Sequence, residues 1–236
     1  WMMLYIALHN WRYLKKNVLF VSMEMNPLSI AQRVTAMYAH VPYGQLKKSG
    51  FSSSTYKKFE SSMLEFKAEE AKFYCVDGNL AVSVEEIYDL ADLLECDLVD
   101  IDGAYLCRHP NARLDRFTRV AENVRIMKQA TGDRCTLASW QFARSAVKGK
   151  SKDAKGQTSE KAGMEDIGMS DEIPQVSSIV LAMDQEDSVE TLIQRRIRLL
   201  KGRGGEIGGF NINWGFDTMD FTQAVDAEEQ KKMTAI

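Results

Sequence analysis

Apolar runs and amphipathic stretches alternate along the chain from Trp1 to Ser139. Four short runs are rich in β-branched and aromatic residues, as strands buried on both faces are. They lie at residues 18–21, 73–76, 98–102 and 135–139. The stretches between them repeat apolar residues every three or four positions, which predicts helices. These predicted helices cover residues 2–15, 27–38, 55–70, 83–94 and 113–130. The alternation predicts an α/β fold with a mostly parallel central sheet flanked by helices.

Local signals fix several of these helices. Asn26 is a favourable N-cap before Pro27, and Ser83 with Glu86 forms a capping-box pattern. Periodicity turns Leu14 inward in the first helix and Phe117 inward in the helix over 113–130. The stretch 41–54 holds prolines, glycines and serines, which predicts a loop.

The pattern changes after Ser139. Residues 145–170 lose periodicity and are rich in charged and small residues, which predicts a loop. Further strands are predicted at 179–183, 195–200 and 209–214, with a glycine-rich turn between the last two. We therefore expect a β-rich C-terminal extension, ending in a polar, frayed tail after Gln223.

Composition narrows the class of protein. The chain is 45% hydrophobic and 27% charged with a net charge of −3, so binding of nucleic acid would require a local basic patch. No apolar run reaches the roughly 20 residues that span a bilayer. The four cysteines are widely spaced, which favours free thiols in a reducing compartment and hence a cytoplasmic protein. Because the chain begins with Trp, we expect it to be a fragment lacking an N-terminal part.

Polar side chains follow three of the predicted strands. Glu24, Asp102 and Gln141 stand at strand ends, and the carboxyl ends of parallel strands meet at one edge of a sheet. There one carboxylate can hold Mg²⁺, a second can polarise water, and an amide can sense a terminal phosphate. This set is typical of a nucleotide hydrolase. Alternatively, Glu24 is a solvated acid at a helix start and Asp102 a cap or turn acid; Asp100 competes with Asp102 if the register differs by two residues.

Segments along the chain carry the pattern of one family. Residues 20–25 are similar to its F-S-L-E-M segment, 98–106 to its Walker B strand L-I-V-I-D-Y-L-Q-L, and 140–144 to its S-Q-L-N-R segment. Residues 170–183 and 197–205 are similar to its S-G-S-I-E-Q-D-A-D-L-I-M-F and I-I-K-Q-R-N-G segments. In order and spacing, the chain resembles the motor domain of the DnaB-like hexameric replicative helicases.

The resemblance implies a RecA-like P-loop NTPase core over residues 1–223, followed by a disordered tail at 224–236. It implies that ATP and Mg²⁺ are used, with Glu24 as the water-orienting base, Asp102 as the Walker B acid and Gln141 as the γ-phosphate sensor. Lys201 and Arg203 would reach the nucleotide of the neighbouring subunit; otherwise they belong to a solvated hairpin. Two further arginines match family motifs, Arg33 and Arg144.

The resemblance also implies partners: single-stranded DNA, further copies of the chain in a homohexamer, a primase and a helicase loader, and no membrane. The predicted loop carries lysines suited to sequence-independent phosphate contact, unless it is merely solvated. These are Lys148, Lys150, Lys152 and Lys155. Arg108 and Arg113 lie in an earlier loop that would also face DNA.

Several departures from the family pattern stand out. No G-x-x-x-x-G-K-S/T phosphate loop occurs, and the family places that loop just before the position of Trp1. Asp100 replaces an apolar residue, and Tyr105 stands where the family usually has Gln. Such differences suggest a divergent, phage-encoded relative whose fragment binds nucleotide poorly.

Three functions compete on this sequence. The first is a DNA-stimulated ATPase that translocates along single-stranded DNA and unwinds duplexes during replication. The second is a RecA-type recombinase or ring ATPase that does not unwind DNA. The third is a nonhydrolysing assembly module of the same fold.

Overall fold

The structure, a computed structural model, describes residues 1–48, 50–142, 163–164, 167, 170–184 and 190–224. Its helices are α1 (Met2–Leu14), α2 (Pro27–Ala39), α3 (Tyr43–Lys48), α4 (Ser53–Ala68), α5 (Val84–Leu93), α6 (Arg116–Ala130), α7 (Glu172–Val176) and α8 (Glu190–Ile193), with a 3-10 turn at Ala104–Leu106. Its strands are β1 (Val18–Ser22), β2 (Phe73–Asp77), β3 (Leu98–Asp102), β4 (Cys135–Ala138), β5 (Val180–Asp184), β6 (Gln194–Lys201) and β7 (Gly208–Asn213).

The chain divides into two compact units. The first unit comprises essentially residues Met3–Ala31 and Glu69–Ser177, and the second comprises Gln32–Ala68 and the chain from Ser178 onward. Each unit has its own sheet, one parallel and one antiparallel. The predicted α/β core with a β-rich C-terminal part is therefore confirmed.

The first unit is built on a parallel sheet of order β2-β1-β3-β4. All five residues of β1 are buried, as expected for a strand with neighbours on both sides and cover on both faces. In register, Ser22 pairs with Asp77 on one side and with Asp102 on the other. The four predicted strands of this region all occur, within about one residue of their predicted ends.

Helices cover the two faces of this sheet. Leu19, Val21, Val99 and Ile101 alternate onto one face, where they join a buried cluster with residues of α5 and α6. The buried face of α1 consists of Leu4, Ala7, Leu8 and Trp11. The Trp11 indole N–H donates to the Ala71 carbonyl at 2.7 Å, which ties α1 to the segment that enters β2.

Two caps occur where the sequence predicted them. The Ser83 side chain accepts from the Glu86 N–H at 3.3 Å, and the Glu86 carboxylate accepts from the Ser83 N–H at 2.7 Å. The Asn26 Oδ1 accepts from the Ser29 N–H at 2.9 Å at the start of α2. Each cap satisfies N–H groups that the helix leaves without partners.

Other predictions for helices were wrong in detail. The predicted loop 41–54 contains α3 and the start of α4, and α7 lies in a stretch for which no helix was predicted. Helix α6 begins only after Asp115, whose side chain accepts from the N–H groups of Phe117 and Thr118. Phe117 therefore lies in the first turn and is 65% exposed, and Leu14, the last residue of α1, is 56% exposed.

The second unit contains the antiparallel sheet β5-β6-β7. Arg198 of β6 makes a two-point ion pair with Asp184 of β5, at 2.5 and 3.0 Å. Beyond β7, the rings of Trp214, Phe216 and Phe221 contact one another edge to face, with centroids 5.2–5.8 Å apart. The ion pair joins two strands of the sheet, and the aromatic rings form a cluster in the segment that follows it.

In the described part of the chain, no helix is both long and apolar enough to span a membrane.

Candidate active site

The end of β1 is fixed by the hydroxyl of Ser22. Its Oγ accepts from the N–H groups of Glu24 at 3.2 Å and Met25 at 2.9 Å, and it donates to Asp102 Oδ2 at 2.9 Å. Ser22 itself is fully buried. The chain is thus turned out of the sheet immediately before Glu24, which lies exposed at the sheet edge.

Asp102 is held from both neighbouring strands. Ser22 donates to Oδ2, and Ser139, which follows β4, donates to Oδ1 at 3.2 Å. The Ser139 Oγ also accepts from the Gly103 N–H at 2.8 Å, so both hydroxyls are themselves anchored to backbone. The Asp102 carboxylate therefore has a fixed orientation at the carboxyl end of the sheet, although it is only half-buried.

Glu24 and Gln141 are joined through one phenol. The Tyr105 hydroxyl donates to Glu24 Oε1 at 2.5 Å, and Gln141 Nε2 donates to the Tyr105 oxygen at 2.6 Å. Burial raises the pKa of Tyr105 to about 12, with the Glu24 carboxylate adding to the effect, so the phenol keeps its proton at neutral pH. The structure thus brings together Glu24, Asp102 and Gln141, which we call the strand-end site.

Gly103 allows this close approach. It adopts a left-handed conformation with φ of +80°, and a Cβ at this position would lie 3.1 Å from Glu24 Cγ and 3.2 Å from Oε1. The Ala104 N–H donates to the Ser139 carbonyl at 3.2 Å, which attaches the 3-10 turn to the end of β4. Tyr105 is carried on this turn, and its ring packs beside the buried residues Val120, Val124 and Ile173.

Asp100 differs sharply from Asp102. Its side chain is fully buried, and neither carboxylate oxygen has a hydrogen-bond partner among the described residues. Burial raises the pKa of the Asp100 carboxyl well above its ordinary value, and the nearby charge of Asp102 raises it further. Because Asp100 lies inside the sheet rather than at its edge, the geometry favours Asp102 as the acid that meets a ligand.

The donor set suits Mg²⁺ better than a metal that needs a complete protein cage. Within the described ranges, no group of three or more His, Cys, Asp or Glu side chains is placed to hold a metal ion. Mg²⁺ is commonly held through one or two carboxylates together with substrate phosphates and water. One oriented carboxylate with exposed surface, as Asp102 provides, fits that mode.

The remaining predicted site residues fall in several places. Arg108 is exposed and pairs with Glu86 at 3.2 Å, and Arg113 is exposed in the same loop. In the second unit, Arg33 lies in α2, Lys201 ends β6, and the exposed Arg203 donates to Ser178 Oγ at 3.2 Å. The other predicted residues lie outside the described part of the chain, namely Arg144, Lys148, Lys150, Lys152 and Lys155.

Sequence reasoning missed Ser22 and Ser139 and treated Tyr105 only as a departure from the family. A signal for the serines is present: Ser22-Met23-Glu24 and Ser139-Trp140-Gln141 place a serine two residues before the polar residue at two strand ends. These two strands flank β3 on either side, so both serines reach Asp102. No comparable pattern marks Tyr105, because its role depends on where the 3-10 turn lies.

A parallel sheet with acids and an amide at its carboxyl edge, together with a separate antiparallel sheet, defines a RecA-like core. The family model "DnaB-like helicase C terminal domain" matches residues 1–223, and the chain belongs to this family. A search of curated proteins gave no match.

Solved structures agree on the fold. The structure of a DnaB-like replicative helicase, described with its interactions with primase, is similar at a TM-score of 0.76 and 16% identity, covering 89% of this chain and 52% of that chain. A second solved structure, of an isolated ATPase domain, is similar at a TM-score of 0.77 and 17% identity, covering 94% of this chain and 79% of that chain. The chain thus spans about half the length of the first of these proteins.

Proposed function

We propose that this chain is the motor domain of a replicative helicase, which hydrolyses ATP to move along single-stranded DNA and unwind duplexes as a ring hexamer. The motor would occupy residues 1–223, with 224–236 as a tail. The observation that carries the proposal is the strand-end site. Glu24 and Gln141 are linked within hydrogen-bond distance of one phenol, next to an acid held by two strands.

Each residue of the strand-end site has a chemical role in this proposal. Glu24 would accept a hydrogen bond from the attacking water through the oxygen that Tyr105 does not occupy. Asp102 would hold Mg²⁺ directly or through water, and when bound the ion neutralises charge on the nucleotide phosphates. Gln141 would donate to the terminal phosphate. In this arrangement, one residue from each strand end faces the reacting phosphate.

Two cations of the second unit would act on the neighbouring subunit. Lys201 ends β6, and Arg203 lies in the exposed turn that follows. A cation brought to the transferred phosphoryl group stabilises the charge that develops there. Placing such cations on an exposed turn would let a hexamer complete each site from two subunits.

Single-stranded DNA would be held by lysines of the segment between β4 and α7, namely Lys148, Lys150, Lys152 and Lys155, with Arg108 and Arg113 nearby in sequence to β3. Lysines bind the phosphate backbone without reading bases, which suits a motor that must pass any sequence. A primase and a helicase loader are the protein partners that this role would require.

The test is Glu24→Gln in the full-length protein. We expect ATP hydrolysis to fall to background while ATP binding is retained, because glutamine keeps the shape but cannot act as a base. Glu60→Gln, an exposed acid on α4, serves as the matched control and should leave turnover unchanged. Undiminished hydrolysis in Glu24→Gln would reject the assignment. A forked-duplex assay then separates an unwinding motor from a ring ATPase that does not unwind.

A further inference from the structure

The phenol of Tyr105 occupies an unusual position, between two side chains that come from different strands. It donates to Glu24 Oε1 at 2.5 Å and accepts from Gln141 Nε2 at 2.6 Å. Because the carboxylate can only accept and the amide nitrogen can only donate, the direction of both hydrogen bonds is fixed. The chain Gln141 to Tyr105 to Glu24 is thus polarised in one direction, and such chains strengthen each member.

We propose that Tyr105 is a positioning residue for ATP hydrolysis, and that its hydroxyl couples the orientation of the Glu24 carboxylate to that of the Gln141 amide. This inference rests on the proposed function of the strand-end site. It assigns to Tyr105 no contact with the nucleotide. Its effect is exerted through the two side chains that would meet the water and the phosphate.

The surroundings of Tyr105 are suited to this task. Its backbone lies in the 3-10 turn, whose Ala104 N–H is bound to the carbonyl of Ser139, two residues before Gln141. Its ring packs beside Val120 and Val124 of α6, so the hydroxyl is presented from a supported base. Gly103 leaves room for Glu24 to lie across the turn, since a Cβ there would approach Oε1 to 3.2 Å. A movement of Gln141 toward a phosphate would therefore be felt at Glu24 through one oxygen atom.

Tyr105→Phe removes the hydroxyl and keeps the ring, so it isolates the two hydrogen bonds from packing. In the full-length protein, we expect kcat for ATP to fall roughly ten- to hundredfold, the range for losing a hydrogen bond to a charged group. KM should change by less than about twofold, because Tyr105 does not touch the substrate. Tyr13→Phe, at an exposed tyrosine of α1, is the matched control and should leave kcat unchanged.

A double-mutant comparison tests the coupling itself. If Tyr105 acts by linking Gln141 to Glu24, Tyr105→Phe combined with Gln141→Ala should lose little more kcat than Gln141→Ala alone. Losses that multiply would overturn the inference, as would a Tyr105→Phe enzyme with wild-type kcat. If Tyr105→Phe is fully active while Glu24→Gln is dead, this inference fails and the proposed function stands. If Glu24→Gln retains full hydrolysis, the proposed function itself has failed.

Discussion

The two units present their functional residues in opposite ways. In the first unit, the acids at the edge of a parallel sheet are held by neighbouring strands: Asp102 by Ser22 and Ser139, and Glu24 by Tyr105. In the second unit, Lys201 and Arg203 lie where an antiparallel strand runs into an exposed glycine-rich turn. Gly205 in this turn has a φ of +81°, a conformation that glycine adopts without strain.

This difference corresponds to two tasks. Groups that orient water and metal within one subunit need fixed geometry, which buried serines and a supported phenol provide. A cation that must reach another subunit needs exposure instead, and an antiparallel hairpin turn provides that. The comparison predicts large functional effects with small stability effects in the turn, and large stability effects inside the parallel sheet.

The largest effect is expected at Arg203. In the full-length protein, Arg203→Ala should lower ATP turnover by about a thousandfold or more, the range for arginines that stabilise a phosphoryl transition state. The midpoint of urea unfolding should hardly change, because the side chain is exposed. Arg196→Ala, an exposed arginine of β6, is the control and should keep full turnover.

Mixing experiments show whether Arg203 acts across subunits. Hexamers assembled from wild-type and Arg203→Ala subunits should lose more activity than the mutant fraction alone accounts for, because each altered subunit disables its neighbour's site. A loss strictly proportional to the mutant fraction would contradict the trans role. The contrast between a rigid site and an exposed turn would then lose its functional meaning.

The next largest effect is expected in the core of the parallel sheet. Phe20 of β1 is 1% exposed, and Phe20→Ala should lower the free energy of unfolding by about 3–5 kcal/mol. Leu181 of β5, in the antiparallel sheet, is 50% exposed, so Leu181→Ala should cost less than about 1 kcal/mol. Urea denaturation of the two variants measures both. Equal losses would mean that the second sheet is as tightly organised as the first.

The fold of the first unit could largely be predicted from the sequence because its signals are local and redundant. The apolar run of β1, the Asn26 cap and the Ser83–Glu86 capping box each specify an element without reference to the rest of the chain. The order of strands and helices then limits the sheet to a parallel arrangement. The meeting of Glu24 and Gln141 followed from the same rule about strand ends.

The parts that could not be predicted depend on contacts between distant residues. Helix α3 is only six residues long, so periodicity does not reveal it. Phe117 lies in the first turn of α6 because Asp115 caps there, a competition that the apolar pattern does not record. The role of Tyr105 depends on Gly103 adopting a left-handed conformation beside Glu24, which brings together residues that are 81 positions apart in sequence.

The smallest effect, and the one of opposite sign, is expected at Asp100. Replacing this buried, unpartnered carboxyl by Asp100→Val should raise the free energy of unfolding by about 1–3 kcal/mol at pH 7. Burial raises the pKa of Asp100 in the folded state, so the folded chain keeps a proton that the unfolded chain releases above about pH 4. Wild-type stability should therefore fall as pH rises from about 4 toward 7, by more than that of the variant.

Urea unfolding of both proteins at several pH values between about 4 and 7 measures this difference. Ala182→Val, at another buried position in a strand of the second unit, controls for the added volume. A gain from Asp100→Val that is the same at every pH would mean that packing, rather than the buried carboxyl, limits stability there. A loss of stability would mean that the carboxyl has a stabilising partner, and that Asp100 and Asp102 differ less than their burial indicates.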